Sequence, residues 1–329
     1  VPDKSDPTKQ EKVRFISVSA GIAHSMALDA DGYVYAWGNN SYGQIGINVD
    51  INSASNNNVL SPVQVKAPRA EGVLENVAMI SAGGYTSAVV KKNGTAWTWG
   101  RNVNGQLGIN STSNQGTPEQ VLRGASDSDD NWIQSISTIS TGLDHMVAIQ
   151  TINRPQPDGS TEQEQNVFGW GGNGNMQLTQ GTAARTYSDK YEAIPVQIML
   201  TPEKKLDNVK AAYAGNYYSA AILNINNRDS VPEEERTNGE VLAWGSNANG
   251  RLGDDTTTQR NYPVKVLAGD TTAREQVGDV ADTRKDTPGY KVEEKSGYLT
   301  QAKSLSLGQT HVSLLRMDDT FWAWGDNSA

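Results

Sequence analysis

Tyr33-Val34-Tyr35-Ala36-Trp37-Gly38-Asn39-Asn40-Ser41-Tyr42-Gly43-Gln44-Ile45-Gly46 is an alternating apolar run that breaks at a Trp-Gly pair into an Asn/Gly turn and closes on Gly-Gln-Ile-Gly. The pattern recurs four times. Trp99-Gly100 with Gly105-Gln106-Leu107-Gly108 is nearly a copy. Trp170-Gly171 with Met176-Gln177-Leu178 and Trp244-Gly245 with Gly250-Arg251-Leu252-Gly253 are looser versions, and Trp324-Gly325 stands close to the last residue. The tryptophans are 62, 71, 74 and 80 positions apart, so one unit recurs with growing insertions, the mark of a repeat architecture.

Working outward from the first copy, Val13 to Gly21 reads as one strand and His24 to Leu28 as a second. Asp29-Ala30-Asp31-Gly32 makes a hairpin turn into the Tyr33 strand, and Pro62-Val63-Gln64-Val65 heads a fourth, where proline suits an edge position. The same pieces follow in order in units spanning about 13–66, 77–122, 132–199, 208–267 and 300–329, the last without a fourth strand. Units three and four carry expanded loops between their second and third strands. No stretch sustains a helical period, so the expected fold is all-β, a propeller of four-stranded antiparallel blades. Residues 1–12 are polar and proline-bearing and read as a linker.

The 329 residues are 36% hydrophobic and 20% charged with net charge -9, which argues against nucleic-acid binding and against attraction to anionic membranes. There is no cysteine, hence no disulfide, thiolate nucleophile or thiolate metal site. No apolar run reaches the length of a membrane-spanning helix.

These linked motifs, an Ala-Gly-x-x-His-Ser segment at Ala20 to Ser25, the Trp-Gly strand and the Gly-Gln-x-Gly turn, resemble the regulator of chromosome condensation repeat family. The resemblance covers nearly everything from Val13 onward. It implies a propeller, typically of seven blades, so the five visible units are either a smaller ring or a piece of a larger one, and the larger ring is the expectation. It also implies two kinds of binding activity, nucleotide exchange on a small GTPase and inhibition of β-lactamases as by a bacterial propeller of this type; a plain structural scaffold module is the reading left if these and glycan binding are blank.

The three histidines, His24, His145 and His311, fall on one repeat slot that holds Thr86 and Tyr218 in the other units, so they read as a structural position and not as a catalytic or metal-binding set. The recurring Trp reads as packing between blades. Asp127-Ser128-Asp129-Asp130-Asn131 is the best cation-loop candidate but lacks the glycine and distal glutamate of an EF-hand, and reads as solvated loop. No hydrolase elbow, phosphate loop or metalloprotease motif occurs. No cofactor, metal or catalytic residue is therefore expected.

Function is expected on the loops. Alternating strand direction puts 150–166, 224–240 and 267–299 on one face, and 39–61, 101–117, 172–194 and 246–262 on the other. Candidate contact residues are Tyr187, Tyr191, Tyr217, Tyr262, Glu233, Glu234, Tyr290 and Tyr298, because tyrosine offers large contact area at low entropic cost. The expectation is a non-catalytic module binding a protein partner, outside a bacterial cell or on its surface, with glycan binding or cleavage as the rival.

Overall fold

The computed structural model describes residues 13–48, 58–68, 72–123, 132–226, 237–268 and 297–327. Five blades follow one another. The first is β1 (Phe15–Ala20), β2 (His24–Asp29), β3 (Val34–Gly38) and β4 (Val59–Gln64), antiparallel and in that order. The second is β5 (Val77–Gly83), β6 (Thr86–Lys91), β7 (Ala96–Gly100) and β8 (Gln115–Gln120). The third is β9 (Ile136–Thr141), β10 (His145–Pro155), β11 (Thr161–Gly172) and β12 (Tyr191–Gln197). The fourth is β13 (Val209–Ala214), β14 (Tyr218–Leu223), β17 (Val241–Gly245) and β18 (Arg260–Lys265), with a small added pair, β15 (Ile225–Asn226) and β16 (Thr237–Asn238). Among the described residues the fifth has three strands, β19 (Ala302–Leu307), β20 (His311–Arg316) and β21 (Phe321–Gly325).

The recurring Trp-Gly pair and the recurring proline are two sides of one irregularity. Thr98 pairs with Glu119 and Gly100 with Gln115, so the outer strand bulges opposite Trp99, and Pro118 sits inside the bulge where no ladder bond is required. Gly100 follows at φ +102, and a methyl group there would lie 2.5 Å from the Tyr85 carbonyl oxygen. The bulge lets the indole leave its own sheet. It lands on the preceding blade: Trp99 is fully buried against Gly46, where a methyl group would stand 2.8 Å from the indole nitrogen.

The first strands of the blades stand side by side about the axis, tied by hydroxyls. Ser19, Ser81 and Ser140 each accept through Oγ from the backbone N–H of the next blade, at Ala82, Thr141 and Ala214, over 2.9, 3.0 and 3.0 Å. Each seam then fills with apolar side chains from both sides. Met26, Leu28, Val34, Ala36, Ile45 and Val65 of the first blade meet Val77, Ile80 and Trp99 of the second. At roughly 1.5–3 kcal/mol for each large side chain taken out of water, these seams, more than the ladders, hold the blades together.

The stretch 150–166, expected as an expanded loop, is an extended β-ribbon. β10 and β11 stay paired from His145↔Gly171 out to Pro155↔Thr161, and a tight turn closes them at Gly159, φ +82. Alternation of Thr, Ile, Asn and Arg with Glu, Gln and Asn supports strand on both sides, and Glu164 pairs with Arg154 across the ribbon and with Lys205 beyond it. Residues 1–12 and the Asp127–Asn131 segment lie outside the described residues, as do Glu233, Glu234 and Tyr290.

Candidate partner-binding face

The loops between third and fourth strands are locked from inside. Asn40, Asn102, Asn173 and Asn247 are buried, and each Oδ1 accepts the backbone N–H five residues on, at Ile45, Leu107, Leu178 and Leu252, all over 2.9 Å. Gln44, Gln106 and Gln177 accept through Oε1 from the N–H of Tyr42, Asn104 and Asn175, again over 2.9 Å. Asparagine and glutamine thus do the work of a turn ladder, and the loop tip is held before any partner arrives.

The turns between first and second strands ring the axis on the same face. Gly21, Gly142, Gly215 and Gly308 each donate to the carbonyl three residues ahead over 2.9 Å. Neighbouring turns touch: Ile22 N–H donates to the Gly84 carbonyl over 2.9 Å, and Leu143 N–H to Gly215 over 3.3 Å.

What this platform carries is apolar and aromatic. Ile22 is 60% exposed and Val103 45%. Tyr42 and Tyr85 meet with ring centroids 5.2 Å apart, and the Arg101 guanidinium lies 5.9 Å from the Tyr42 ring centroid. Tyr217 is exposed and holds a left-handed backbone at φ +62, which a bulky residue rarely adopts. Aromatics and arginine on a rigid base are the usual anchors of a protein interface.

The candidates read from sequence do not form one patch. Tyr217 belongs to the axial platform. Tyr187, Tyr191 and Tyr262 sit at the outer rim between blades three and four. There Tyr187 is buried, donates to the Gln197 carbonyl over 2.6 Å, and has its hydroxyl pushed up to about 12 by burial. Tyr262 donates to the Gly181 carbonyl over 3.1 Å and stitches the 172–194 loop to the next blade. Tyr191 is exposed on β12. Tyr298 lies by the connection into the fifth blade, with the Lys265 ammonium 5.0 Å from its ring centroid. Sequence reading missed Tyr42, Tyr85, Arg101, Ile22 and Val103. The signal was there: Tyr42 holds a slot that is Asn104, Asn175 and Asn249 elsewhere, and Tyr85 one that is Ala23, Asp144 and Thr310 in three other blades.

On the opposite face the ribbon and the adjoining connection form an open polar groove lined by Arg154, Gln163, Glu164, Lys205, Asp207 and Asn224. Hydrogen bonds from Arg154 and Lys205 hold the Glu164 carboxyl below the usual range. Among the described residues no group of three or more His, Asp or Glu is placed to hold a metal, and no helix is long and apolar enough to cross a membrane.

Comparison with known proteins bears on the whole scaffold. A family model described as the regulator of chromosome condensation (RCC1) repeat matches residues 31–90, 93–149, 164–222 and 238–281. A second model of the same repeat matches 15–44 and 77–106. The chain is 28% identical over 272 residues to protein pim1 of Schizosaccharomyces pombe, covering 83% of this chain and 46% of that protein. It is 27% identical over 258 residues to the ultraviolet-B receptor UVR8 of Arabidopsis thaliana, covering 78% and 47%. It is 27% identical over 254 residues to the mouse probable E3 ubiquitin-protein ligase HERC4, covering 77% and 19%. The chain thus spans less than half the length of these curated relatives. Human WBSCR16 shares the fold at TM-score 0.62 and 21% identity over 99% of this chain and 64% of that one. So does Prp20p of Saccharomyces cerevisiae, at TM-score 0.58 and 20% identity, over 95% and 57%. With the repeat model matched across most of its blades and the propeller built as that repeat requires, this chain belongs to the regulator of chromosome condensation repeat family.

Proposed function

We propose that this propeller is a non-catalytic protein-binding module that recognises its partner through the axial platform carrying Ile22, Tyr42, Tyr85, Arg101, Val103 and Tyr217. The observation that carries the reading is the Tyr42–Tyr85–Arg101 stack on turns locked by buried Asn and Gln side chains. Pre-organised aromatics give up little entropy on binding, so most of the contact energy is retained. Prp20p, which has this fold, has described binding properties toward Gsp1p and histones, and that supports a protein as the partner class. The cysteine-free, acidic composition supports placing the module outside a bacterial cell or on its surface.

The test is affinity capture with the intact chain, a Y42A/Y85A/R101A variant and a variant with the ribbon shortened between Gln150 and Asn166. A specific protein captured by the intact and ribbon-shortened chains, and lost about 100-fold or more with the triple variant, is expected, because clustered aromatic and arginine anchors carry most of an interface's energy. Capture that survives the triple variant and fails with the shortened ribbon would move the site to the opposite face. Stimulated nucleotide release from a small GTPase, loss of β-lactamase activity on mixing, or binding to a sugar array would each select one of the narrower activities.

A further inference from the structure

On the ribbon an amine, a carboxamide and a carboxylate share one corner. Lys205 Nζ lies 2.9 Å from Asn166 Oδ1 and 3.2 Å from Glu164 Oε1, and Asn166 Nδ2 lies 3.5 Å from the same carboxylate oxygen. Each group is within reach of the other two.

Each is also positioned from behind. Asn166 pairs with Gln150 across the β10–β11 ladder, and its Nδ2 donates to Gln150 Oε1 over 3.1 Å. Gln150 is pinned in turn, its Nε2 donating to the Gln134 carbonyl over 2.9 Å. The amide orientation is therefore fixed, with nitrogen facing two acceptor oxygens and oxygen facing the ammonium. Arg154 Nε donates to Glu164 Oε2 over 2.7 Å, which leaves Oε1 turned toward Lys205 and Asn166. Lys205 is delivered by the hairpin after β12, where it bridges to Met199 and where Leu206 N–H donates to the Ile198 carbonyl over 2.9 Å.

The corner grades from dry to wet. Gln150 and Asn166 are buried, whereas the Glu164 and Lys205 side chains are 30% and 36% exposed and line the open groove. The carboxamide is thus screened from bulk water, and a small leaving molecule has a way out. An ordinary surface ion pair needs no buried amide between its partners.

We propose that Lys205 and Asn166 are the site of an intramolecular isopeptide bond, closed by the chain itself with Glu164 as proton carrier. The Lys205 ammonium gives one proton to Glu164 Oε1, which frees the Nζ electron pair. That pair attacks Asn166 Cγ, forming the Nζ–Cγ bond and moving the carbonyl π electrons onto Oδ1. Glu164 passes its proton to Nδ2, the carbonyl re-forms, and the Cγ–Nδ2 bond breaks with its electron pair leaving on ammonia. Ammonia takes the surplus proton from Nζ, so the products are a secondary amide and one ammonium ion. Nothing is oxidised or reduced, and no co-reactant is consumed. Holding amine and amide in contact supplies the proximity that this acyl transfer lacks in solution.

Hydrogen bonds from Arg154 and Lys205 favour the charged Glu164, so its protonated form is scarce and the bond closes slowly after folding. The product joins the third strand of blade three to the connection leading into blade four, and closes a loop that contains all of β12. The reaction happens once within one chain and leaves the module non-catalytic toward other molecules.

The experiment is intact mass and peptide mapping of the full chain, fresh and after several days held just below its unfolding transition. Wild type is expected to become lighter by one ammonia and to yield a branched peptide joining Lys205 to Asn166. Its thermal midpoint should rise by about 5 °C as the link forms, the shift of a covalently closed loop in a chain of this order. K205R keeps the charge beside Glu164 but has no nucleophilic amine, and E164Q keeps the shape but cannot carry the proton. Both should fold with the midpoint of fresh wild type and keep their full mass. A wild-type chain that keeps its full mass overturns the inference. So does an ammonia loss that recurs undiminished in K205R without a branched peptide, as a succinimide at an Asn-Gly step would give. Closure of E164Q at the wild-type rate would overturn the part assigned to Glu164.

Discussion

The imidazole of His24 and the hydroxyl of Ser87 sit 3.0 Å apart across a blade seam, and the hydroxyl spends its proton on the Gln44 carbonyl. The histidine must therefore donate through Nε2, which leaves Nδ1 bare and buried with no partner. A charged ring would put an N–H where no acceptor exists, and burial accordingly lowers its pKa from 6.5 to about 4.

A pH dependence follows with a definite sign. Between pH 6.5 and about 4 the unfolded chain binds a proton at this residue and the folded chain does not. The stability His24 contributes is complete above the unfolded value and drains away as pH falls through that window, by about 3 kcal/mol in all. Thermal midpoints of wild type and H24Q should diverge most near neutrality and converge toward pH 4. Parallel curves across that range would contradict the assignment.

Trp99 and Trp170 look alike in sequence and should behave differently. Both are fully buried, but Trp99 Nε1 has the Gln44 carbonyl and Trp170 Nε1 has nothing. W99F should cost about 1–2 kcal/mol in denaturant unfolding. W170F should be close to neutral, since it removes an unsatisfied donor along with one ring of packing.

Gly83 sits where two first strands nearly touch. A methyl group there would strike the Thr141 carbonyl oxygen and come 2.6 Å from that of Gly142, both backbone atoms with no room to yield. G83A should cost several kcal/mol, comparable to overpacking a core. At Gly159, in the ribbon turn, nothing lies within 4 Å and only φ +82 opposes a side chain, so G159A should cost about 1 kcal/mol.

Glu164 binds Arg154 over 2.6 Å and Lys205 over 3.2 Å on the ribbon, in contact with water. E164Q should leave the global unfolding midpoint nearly unchanged, since surface ion pairs contribute about 0–1 kcal/mol. It should speed amide exchange in 150–166 while the blade cores stay protected.

The blades were legible because they are written several times over. Trp-Gly, the turn glycines and the proline recur at one order, and each has a local cause: the bulge, the positive φ, the missing ladder bond. The ribbon at 150–166 was not, because its Thr, Asn, Gln and Glu mark loop and exposed strand equally. The axial platform escaped for the opposite reason. Tyr42, on a loop between third and fourth strands, and Tyr85, on the turn between first and second strands of the next blade, are 43 positions apart and meet only when successive blades pack around one axis. Tyr187 drew notice by residue type, which carries no information on whether a ring faces water or the Gln197 carbonyl.

Between Ser19 and Ala82, Ser81 and Thr141, and Ser140 and Ala214, a serine hydroxyl joins the blades near the axis, beside single backbone bonds such as Ile22 N–H to the Gly84 carbonyl, and not a shared ladder. A ladder fixes two strands rigidly in register, whereas a hydroxyl can rotate and keep its bond through a small tilt. Register is thus set by ladders within each blade and, between blades, by packed seams and separate polar contacts. A substitution in one seam would therefore disturb the two blades that share it before it reached the ladders inside either.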